Sequence, residues 1–224
     1  MQPYYEHAGI TIYHGDCREI LLDLSTETII TDPPYGIRAN VKGASSRRGN
    51  RDFKNCSLEG KDWPAVQGDD KPFDPTHLLA ASEVILWGGN HFSSRLPDAA
   101  CWIVWDKRAG GASDDNADCE MAWTNLHGPA RLISHLWRGW IRAGRENISV
   151  SGDKLHPFQK PIAVMKFCLL LSKTSGPVLD PYCGSGSTLL AAKELGREAI
   201  GIEIEEKYCE IAAKRLSQEV FEFA

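Results

Sequence analysis

Short runs of β-branched and aromatic residues alternate along the chain with longer stretches of helical apolar spacing. The short runs predict strands and the longer stretches predict helices. The predicted strands cover residues 10–13, 28–31, 84–87, 101–105, 119–124, 131–137, 177–179 and 198–204. The predicted helices cover residues 18–24, 74–81, 162–171, 188–195 and 205–216. This alternation predicts an α/β fold with a mostly parallel sheet, to which residues 119–124 and 131–137 add antiparallel strands at the edge.

The strand predicted at residues 28–31 runs directly into Asp32, Pro33, Pro34 and Tyr35. The prolines fix φ and donate no N–H, so their carbonyls stay free, while Asp32 adds an acceptor and Tyr35 a flat ring. Ligands bind at the carboxyl edge of strands in open α/β sheets. The segment is therefore either a stiff turn or a site that holds the exocyclic amino group of a planar base, and these residues alone favour neither interpretation.

Residues 36–75 have little periodic apolar pattern and are predicted to form a mobile basic loop. Its first half has a single acid, Asp52, and its basic residues are Arg38, Lys42, Arg47, Arg48, Arg51 and Lys54. It is either a solvated loop or an arm that contacts phosphates, and its place directly after the Asp-Pro-Pro-Tyr segment favours the arm. Farther along, Arg138 and Arg142 lie among tryptophans. That pattern is typical of a cation–π cluster and equally of a nucleic-acid surface.

Residues 177–204 have the order strand, Gly-Ser-Gly turn, helix, strand and acid, which is typical of a nucleotide-binding half. Glu203 lies where an acid holds ribose hydroxyls. The full GxGxxG pattern is absent, and Asp180 would repel a phosphate but suit a cation. The sequence therefore favours a nucleoside with a cationic tail, and S-adenosylmethionine has both parts.

Composition narrows the class of protein. With 224 residues, 42% apolar and 25% charged, the chain has the size and composition of one soluble domain, or of one domain with an insertion. Its net charge of −5 argues against a uniformly basic nucleic-acid binder but permits a local basic face. The seven cysteines and seven histidines show no metal-ligand spacing, so neither a disulfide framework nor a metal site is predicted. Without a charged-then-apolar leader or a long apolar run, a cytoplasmic protein without membrane contact is expected.

Six segments together resemble the amino-group DNA methyltransferases of the permuted (beta) type, in which the catalytic motif precedes the cofactor motif. They are DPPYG, WGGNHF, WIVWDK, HPFQKP, VLDPYCGSGST and GREAIGIEIEEKY. The resemblance spans nearly the whole chain and implies a single domain over residues 1–224. It also implies the Rossmann-like methyltransferase fold, with a mostly parallel seven-stranded sheet in permuted order and one antiparallel edge strand.

The resemblance implies roles for individual residues. The catalytic loop is Asp32, Pro33, Pro34 and Tyr35, and the cofactor is S-adenosylmethionine, which leaves as S-adenosylhomocysteine. Asp16 is expected to read the cofactor adenine, Glu203 to bind the ribose and Lys160 to contact the carboxylate. The rest of the expected pocket is Cys17, Asp180, Cys183, Gly184, Gly186 and Ser187, with both cysteines as wall residues rather than nucleophiles.

Asp at the start of the catalytic loop is more typical of adenine-N6 enzymes than of cytosine-N4 enzymes. The expected substrate is therefore adenine N6 in double-stranded DNA, after the base has been flipped out. A cytosine-N4 enzyme and a non-catalytic DNA-binding module are the alternatives. Residues 138–155, where the family has its target-recognition region, form a reduced segment. A monomer and a homodimer, with or without a cognate restriction nuclease, are all compatible with this sequence.

Overall fold

The computed structural model describes residues 2–21, 26–39, 65–112, 117–138, 141–144 and 158–218. Eleven strands lie in these ranges. They are β1 (Tyr5–His7), β2 (Ile10–His14), β3 (Thr28–Thr31), β4 (Glu83–Trp87), β5 (Trp102–Asp106), β6 (Cys119–Thr124), β7 (Arg131–Ser134), β8 (Trp137–Arg138), β9 (Ile141–Arg142), β10 (Val178–Asp180) and β11 (Ala199–Glu203). Every predicted strand has a counterpart, with ends that differ by a few residues.

Four α-helices lie in the same ranges: α1 (Cys17–Ile20), α2 (Ile162–Leu171), α3 (Ser187–Glu194) and α4 (Glu206–Ser217). The helix predicted at residues 74–81 is wrong, because only a single 3-10 turn, Thr76–Leu78, forms there. Residues 79–82 are turns and bends that lead into strand β4 at Glu83. Further 3-10 turns follow β4 at Gly89–His91 and Ser93–Arg95.

Nine strands form one sheet in the order β1-β2-β11-β10-β3-β4-β6-β5-β7, and β8 and β9 form a separate hairpin. Strands β1 and β6 are antiparallel to their neighbours, and the seven others share one direction. The predicted α/β class and mostly parallel sheet are thus confirmed. The sheet has more strands than the seven expected, and an antiparallel strand lies inside it as well as at an edge.

The two extended stretches predicted as antiparallel edge additions take different places. Strand β6 pairs with both β4 and β5, so it lies within the sheet. Strand β7 pairs with β5 in parallel at the far edge, which corrects the prediction for residues 131–137. The backbone N–H of Lys107 donates to the carbonyl of Asp118 at 2.9 Å, so the two ends of the link between β5 and β6 lie side by side, as they do between antiparallel neighbours.

The last βαβ unit of the chain inserts into the first one. Strands β2 and β3 run parallel but are not neighbours, because β11 and β10 lie between them. From β10 the chain continues to β11 on one side, whereas from β3 it continues to β4 on the other. The boundary between β10 and β3 is therefore a topological switch point, where open sheets form a ligand crevice at the carboxyl ends of their strands.

Apolar residues cover both faces of this sheet. Successive strand residues point to opposite faces, so Ile29 and Ile30 belong to different buried clusters. One cluster contains the apolar faces of α2, α3 and α4, and the other contains α1 and the segment around Phe73. No helix in the described ranges is long and apolar enough to cross a bilayer.

Candidate active site

A cavity of about 720 Å³ opens at the carboxyl edge of the sheet, above the switch point. Residues from both predicted motifs line it, among them Asp16, Cys17, Asp32, Tyr35, Gly184 and Glu203. The cofactor motif and the catalytic loop are far apart in sequence, but they face the same space. The geometry therefore joins the two predicted sites in one.

The Glu203 carboxylate organises the Gly-Ser-Gly turn. One oxygen accepts from the backbone N–H of Gly184 at 2.8 Å and the other from that of Glu205 at 2.9 Å. Each oxygen keeps a second lone pair. Burial raises the pKa of this carboxyl. On the next strand along the edge, Asp16 caps α1 by accepting from the backbone N–H of Arg18 at 2.9 Å.

Asp180 lies deeper, at the end of β10. Its carboxylate accepts from the Thr31 hydroxyl at 2.6 Å, from the Thr188 hydroxyl and from the Tyr182 backbone N–H. Burial raises its pKa to about 6. The Thr31 hydrogen bond ties the cofactor strand directly to the strand that carries the catalytic loop.

A smaller adjoining cavity of about 50 Å³ touches Asp180 and Ser187. The Ser187 hydroxyl is buried and has no hydrogen-bond partner among the residues that the structure describes. Gly186 has φ +80°, and a Cβ there would lie 3.0 Å from the Cβ of Ala212. The glycine backbone, the unpaired hydroxyl and the buried acid suit a ligand with polar atoms and a positive charge.

Cys17 and Cys183 are buried, and burial raises the pKa of both thiols, that of Cys183 well above its usual range. The Cys183 sulfur packs so closely on Gly201 that a Cβ there would lie 2.9 Å from it. A neutral thiol is a poor nucleophile. These properties support the prediction that both cysteines are wall residues. Elsewhere, no group of three potential metal ligands is found among the described residues.

In the catalytic loop, both oxygens of Asp32 are engaged. One accepts from the Tyr35 hydroxyl at 2.5 Å, and the other accepts from the Lys160 ammonium at 2.6 Å. Burial raises the pKa of Asp32, while the charge of Lys160 opposes that shift. Pro33 is buried and its neighbours in the loop are partly buried, so the loop packs against the rest of the protein.

Lys160 has a different setting from the one predicted. Its ammonium also donates to the Tyr35 hydroxyl at 3.0 Å and pairs with Glu120 at 3.0 Å, so three acceptors use its three N–H groups. Although burial opposes it, the surrounding negative charge raises its pKa well above the usual range. We therefore assign Lys160 to the catalytic loop instead of the cofactor carboxylate.

Sequence reasoning missed Glu120 and Lys107. Glu120 projects from β6 and accepts from the Lys107 ammonium at 2.7 Å with the oxygen that Lys160 does not use. Burial would raise the pKa of Glu120, but the two lysines outweigh it and lower that pKa to about 2. The result is a row of alternating charges that ends at Asp32. The only signal in the sequence was the charge of Glu120 within an otherwise apolar strand.

The Tyr35 ring lies over Gly88 and stacks on His91, with ring centroids 5.0 Å apart and an interplanar angle of 16°. Gly88 has φ +72°, and a Cβ there would lie 2.0 Å from the ring. This explains why the segment after β4 carries glycine: any side chain would displace the tyrosine that holds Asp32.

If this site is catalytic, as the sequence predicts, we expect Gly88→Ala to lower its rate more than a backbone penalty alone can explain. Alanine at a left-handed φ costs about 1–3 kcal/mol, and here its Cβ must also push Tyr35 away from Asp32. Gly110→Ala is a matched control, because Gly110 has φ +85° and a Cβ there would meet no atom within 4 Å among the described residues. Rates and melting temperatures of both variants check this; equal losses in rate would contradict the role of Gly88.

The predicted DNA-binding residues are only partly covered by the structure. Arg38 is exposed beside the catalytic loop. Arg142 is 5% exposed, and its guanidinium lies 4.1 Å from the centre of the Trp137 ring. Its assignment to a DNA-contacting surface is therefore corrected to a cation–π contact in the cavity wall. The Arg138 side chain lies outside the described part, as do Lys42, Arg47, Arg48, Arg51 and Lys54.

Comparison with known families gives a match to a family described as DNA methylase, over residues 101–214, which is just over half of the chain. The type II methyltransferase M.ScaI of Streptomyces caespitosus is 28% identical, and the alignment covers 97% of this chain and 84% of that protein. The type II methyltransferase M.HinfI of Haemophilus influenzae is 29% identical, with 93% and 68% covered.

Two solved structures have a similar fold. The complex of M1.HpyAVI with S-adenosylmethionine has a TM-score of 0.56 at 23% identity and covers 92% of this chain and 99% of its own. The cytosine-N4-specific PvuII DNA methyltransferase has a TM-score of 0.61 at 16% identity, with 99% and 91% covered. At these identities the likeness concerns the fold alone.

Proposed function

Because the chain belongs to the DNA methylase family, whose members methylate exocyclic amino groups, we propose that it methylates N6 of adenine in duplex DNA. S-adenosylmethionine is the methyl donor. The observation that carries the proposal is an Asp-Pro-Pro-Tyr loop whose carboxylate is paired with a buried lysine and faces the cofactor motif across one cavity.

The residues of the cavity fit this cofactor. Glu203 and Asp16 offer acceptors to the hydroxyls and the base of a nucleoside, and Asp180 offers a negative charge to a cationic tail. Gly184 and Gly186 let the backbone come close, while Cys17, Cys183 and Ser187 complete the wall. When bound, S-adenosylmethionine supplies an electrophilic methyl group on a positively charged sulfur.

The chain's own contribution is to make a weak nucleophile attack. The lone pair of an exocyclic amine is delocalised into the ring. Asp32 and the Pro33 carbonyl accept hydrogen bonds from the two N–H groups of this amine, which favours a pyramidal nitrogen with a free lone pair. Fixed acceptors aimed at developing positive charge stabilise the transition state without reorganisation. Holding amine and methyl donor together supplies much of the remaining acceleration.

Asp32 can accept a substrate hydrogen while keeping its present partners. Each carboxylate oxygen has two lone pairs, and one on each is used, by Tyr35 and by Lys160. Lys160 keeps the buried carboxylate ionised, and Tyr35 fixes its orientation. Flipping the target base out of the duplex costs a few kcal/mol, which contacts to the pocket and to DNA phosphates must offset. Arg38 and the basic residues at positions 42–54 are the proposed phosphate contacts.

Cofactor binding should depend on pH through Asp180. The pKa of this acid is raised to about 6 by burial, and a cationic ligand favours its ionised form. Affinity for S-adenosylmethionine is therefore expected to fall by up to about tenfold per pH unit below pH 6. Calorimetry between pH 5 and 8 measures this. Asp180→Asn should bind weakly at every pH, and a flat profile in the unchanged protein would contradict the assignment.

The substrate base is tested directly by its product. The purified protein is incubated with S-adenosylmethionine and unmethylated duplex DNA, which is then digested to nucleosides and analysed by mass spectrometry. The proposal predicts N6-methyl-2′-deoxyadenosine. The appearance of N4-methyl-2′-deoxycytidine would instead establish the cytosine-N4 alternative, and cofactor binding without methyl transfer would favour a non-catalytic module. Sequencing the methylated DNA with modified-base detection would give the recognition sequence, which the type II relatives lead us to expect.

A further inference from the structure

Asp69, an acid outside the cofactor and catalytic motifs, binds the backbone that directly follows the catalytic loop. The side chain of Asp69 accepts from the backbone N–H groups of Gly36 at 2.7 Å, Ile37 at 3.1 Å and Ala39 at 2.6 Å. Its carbonyl accepts from the N–H of Arg38 at 3.0 Å. One residue thus satisfies four consecutive backbone donors, and they begin directly after Tyr35.

The backbone of this segment is shaped around the carboxylate. Gly36 has φ +74° and Arg38 has φ +53°, both in the left-handed region. Alternating conformations of this kind turn successive N–H groups inward and create an anion-binding concavity. A non-glycine residue at positive φ persists only where its surroundings impose it. The Asp69 carboxylate fills the concavity and therefore accounts for the strained conformation.

Asp69 also joins the catalytic loop to the wall of the cavity. It is 6% exposed and follows Gly68, where a Cβ would lie 3.4 Å from the Cγ of Pro34. A Cβ on Gly36 would lie 2.2 Å from the carbonyl oxygen of Lys71. The two segments are therefore in direct contact on both sides of Asp69, and the segment that carries Asp69 lines the same cavity as the catalytic loop.

We propose that Asp69 is a positioning residue for the methyl-transfer reaction, which fixes the exit of the catalytic loop and so aims Asp32, the Pro33 carbonyl and Tyr35 at the substrate amine. The inference rests on the proposed function. Asp69 touches neither the Asp32 carboxylate nor the cofactor motif in the contacts described above. It acts through the backbone that follows Tyr35, and its loss should slow the chemical step while leaving cofactor binding intact.

The decisive variant is Asp69→Asn, which keeps the size of the side chain. An amide has one acceptor oxygen, and its NH₂ group meets a backbone N–H, so at least one of the three side-chain hydrogen bonds is lost. A misplaced catalytic group costs up to about 10²-fold in rate, and we expect a loss of about tenfold for this partial release. Asp98→Asn is the matched control, because it makes the same charge change on an exposed side chain that does not line the cavity.

Two measurements distinguish the hydrogen bonds between Asp69 and the backbone of residues 36–39 from their effect on the reaction. Hydrogen exchange of the amides of residues 36–39 should accelerate in Asp69→Asn and not in Asp98→Asn. The single-turnover methyl-transfer rate at saturating DNA and cofactor should fall in Asp69→Asn alone, with the dissociation constant of S-adenosylmethionine unchanged. Faster exchange with an unchanged rate would overturn the positioning role, and so would a parallel loss of cofactor affinity. Unchanged exchange would show that Asp69 does not hold the backbone of residues 36–39.

A second variant reaches the same junction from the opposite side. Gly36→Ala pushes against the Lys71 carbonyl and should reproduce the loss in single-turnover rate. Variants that break one shared contact are not additive. The double variant should therefore be little slower than the slower single variant, whereas fully additive losses would contradict a common mechanism. If the unchanged protein transferred no methyl group, the proposed function would fail, while hydrogen exchange would still decide whether Asp69 holds the loop.

Discussion

Asp32→Ala is expected to lower the single-turnover methyl-transfer rate by about 10³-fold, the upper range for loss of one preorganised transition-state hydrogen bond. The variant removes the acceptor that draws electron density toward the reacting nitrogen. Among the described residues, the buried Lys160 keeps Glu120 and Tyr35 as its hydrogen-bonding partners. Rapid-quench measurements at saturating cofactor isolate the chemical step from product release.

Two comparisons sharpen the Asp32 experiment. Asp32→Asn retains one acceptor oxygen and should fall between the alanine variant and the unchanged protein. Asp98→Ala makes the same substitution, aspartate to alanine, on an exposed residue. Asp98 precedes β5 and so lies at the amino ends of the strands, away from the cavity, and this variant should retain the full rate. If Asp32→Ala bound cofactor normally and transferred methyl at the rate of Asp98→Ala, Asp32 would not be the acceptor.

Lys160→Met is expected to lower the same rate by about 10²-fold. This is the lower end of what a catalytic side chain in the correct protonation state usually contributes. Methionine fills similar volume but leaves the buried Asp32 without its cation. Burial already raises the pKa of Asp32, so without Lys160 this acid becomes protonated at a higher pH. A protonated carboxyl is a weaker acceptor for the amine hydrogen.

Lys166→Met is the matched control for Lys160→Met. Lys166 lies on α2 and pairs with Glu194 on the half-exposed surface, away from the cavity. It should keep the rate of the unchanged protein, because exposed ion pairs contribute little. If the two methionine variants were equally active, the assignment of Lys160 to the catalytic loop would be wrong.

The sequence was a good guide where structure is local. Strand β3, strand β6 and helix α2 occupy the predicted residues, because β-branched runs and buried apolar helices are strong periodic signals. Residues 74–81 were misassigned, since Phe73 and Leu78 are buried without forming a helical stripe. The place of β6 between β4 and β5 depends on long-range pairing, which periodicity does not encode.

The candidate site follows the same division. Asp32, Tyr35, Gly184 and Glu203 lie at strand ends in recognisable motifs, and the structure brings them to one cavity. The partners that hold them come from distant positions without motifs. Asp69 and Glu120 look like ordinary acids in the sequence, and their roles become visible only once the chain has folded.

Lys160 and Arg142 show how a family motif or a charge pattern can mislead about a contact. Lys160 belongs to a recognised segment, yet Asp32 and Glu120 bind its ammonium. Arg142 was one of several arginines among tryptophans, and its described contact is a stack on Trp137. In both cases the pattern predicted the region of the protein where the residue lies. Because both side chains are buried, their partners are the groups packed around them.

The most direct test of the proposed centre is the pH dependence of the single-turnover rate in three proteins. Among the described residues, Asp32 is in direct contact with Tyr35 in its own loop and with Lys160 before α2. The other charges that act on it are Glu120 on β6, Lys107 paired with Glu120, and Asp180 on β10. Lys160 lowers the pKa of Asp32, while Glu120 raises it. The rate of the unchanged protein should fall on the acidic side as Asp32 takes up a proton. This acidic limb should move to higher pH in Lys160→Met and to lower pH in Glu120→Gln. Identical acidic limbs in all three proteins, or shifts in one direction, would contradict the claim that an ionised Asp32 accepts the hydrogen of the substrate amine.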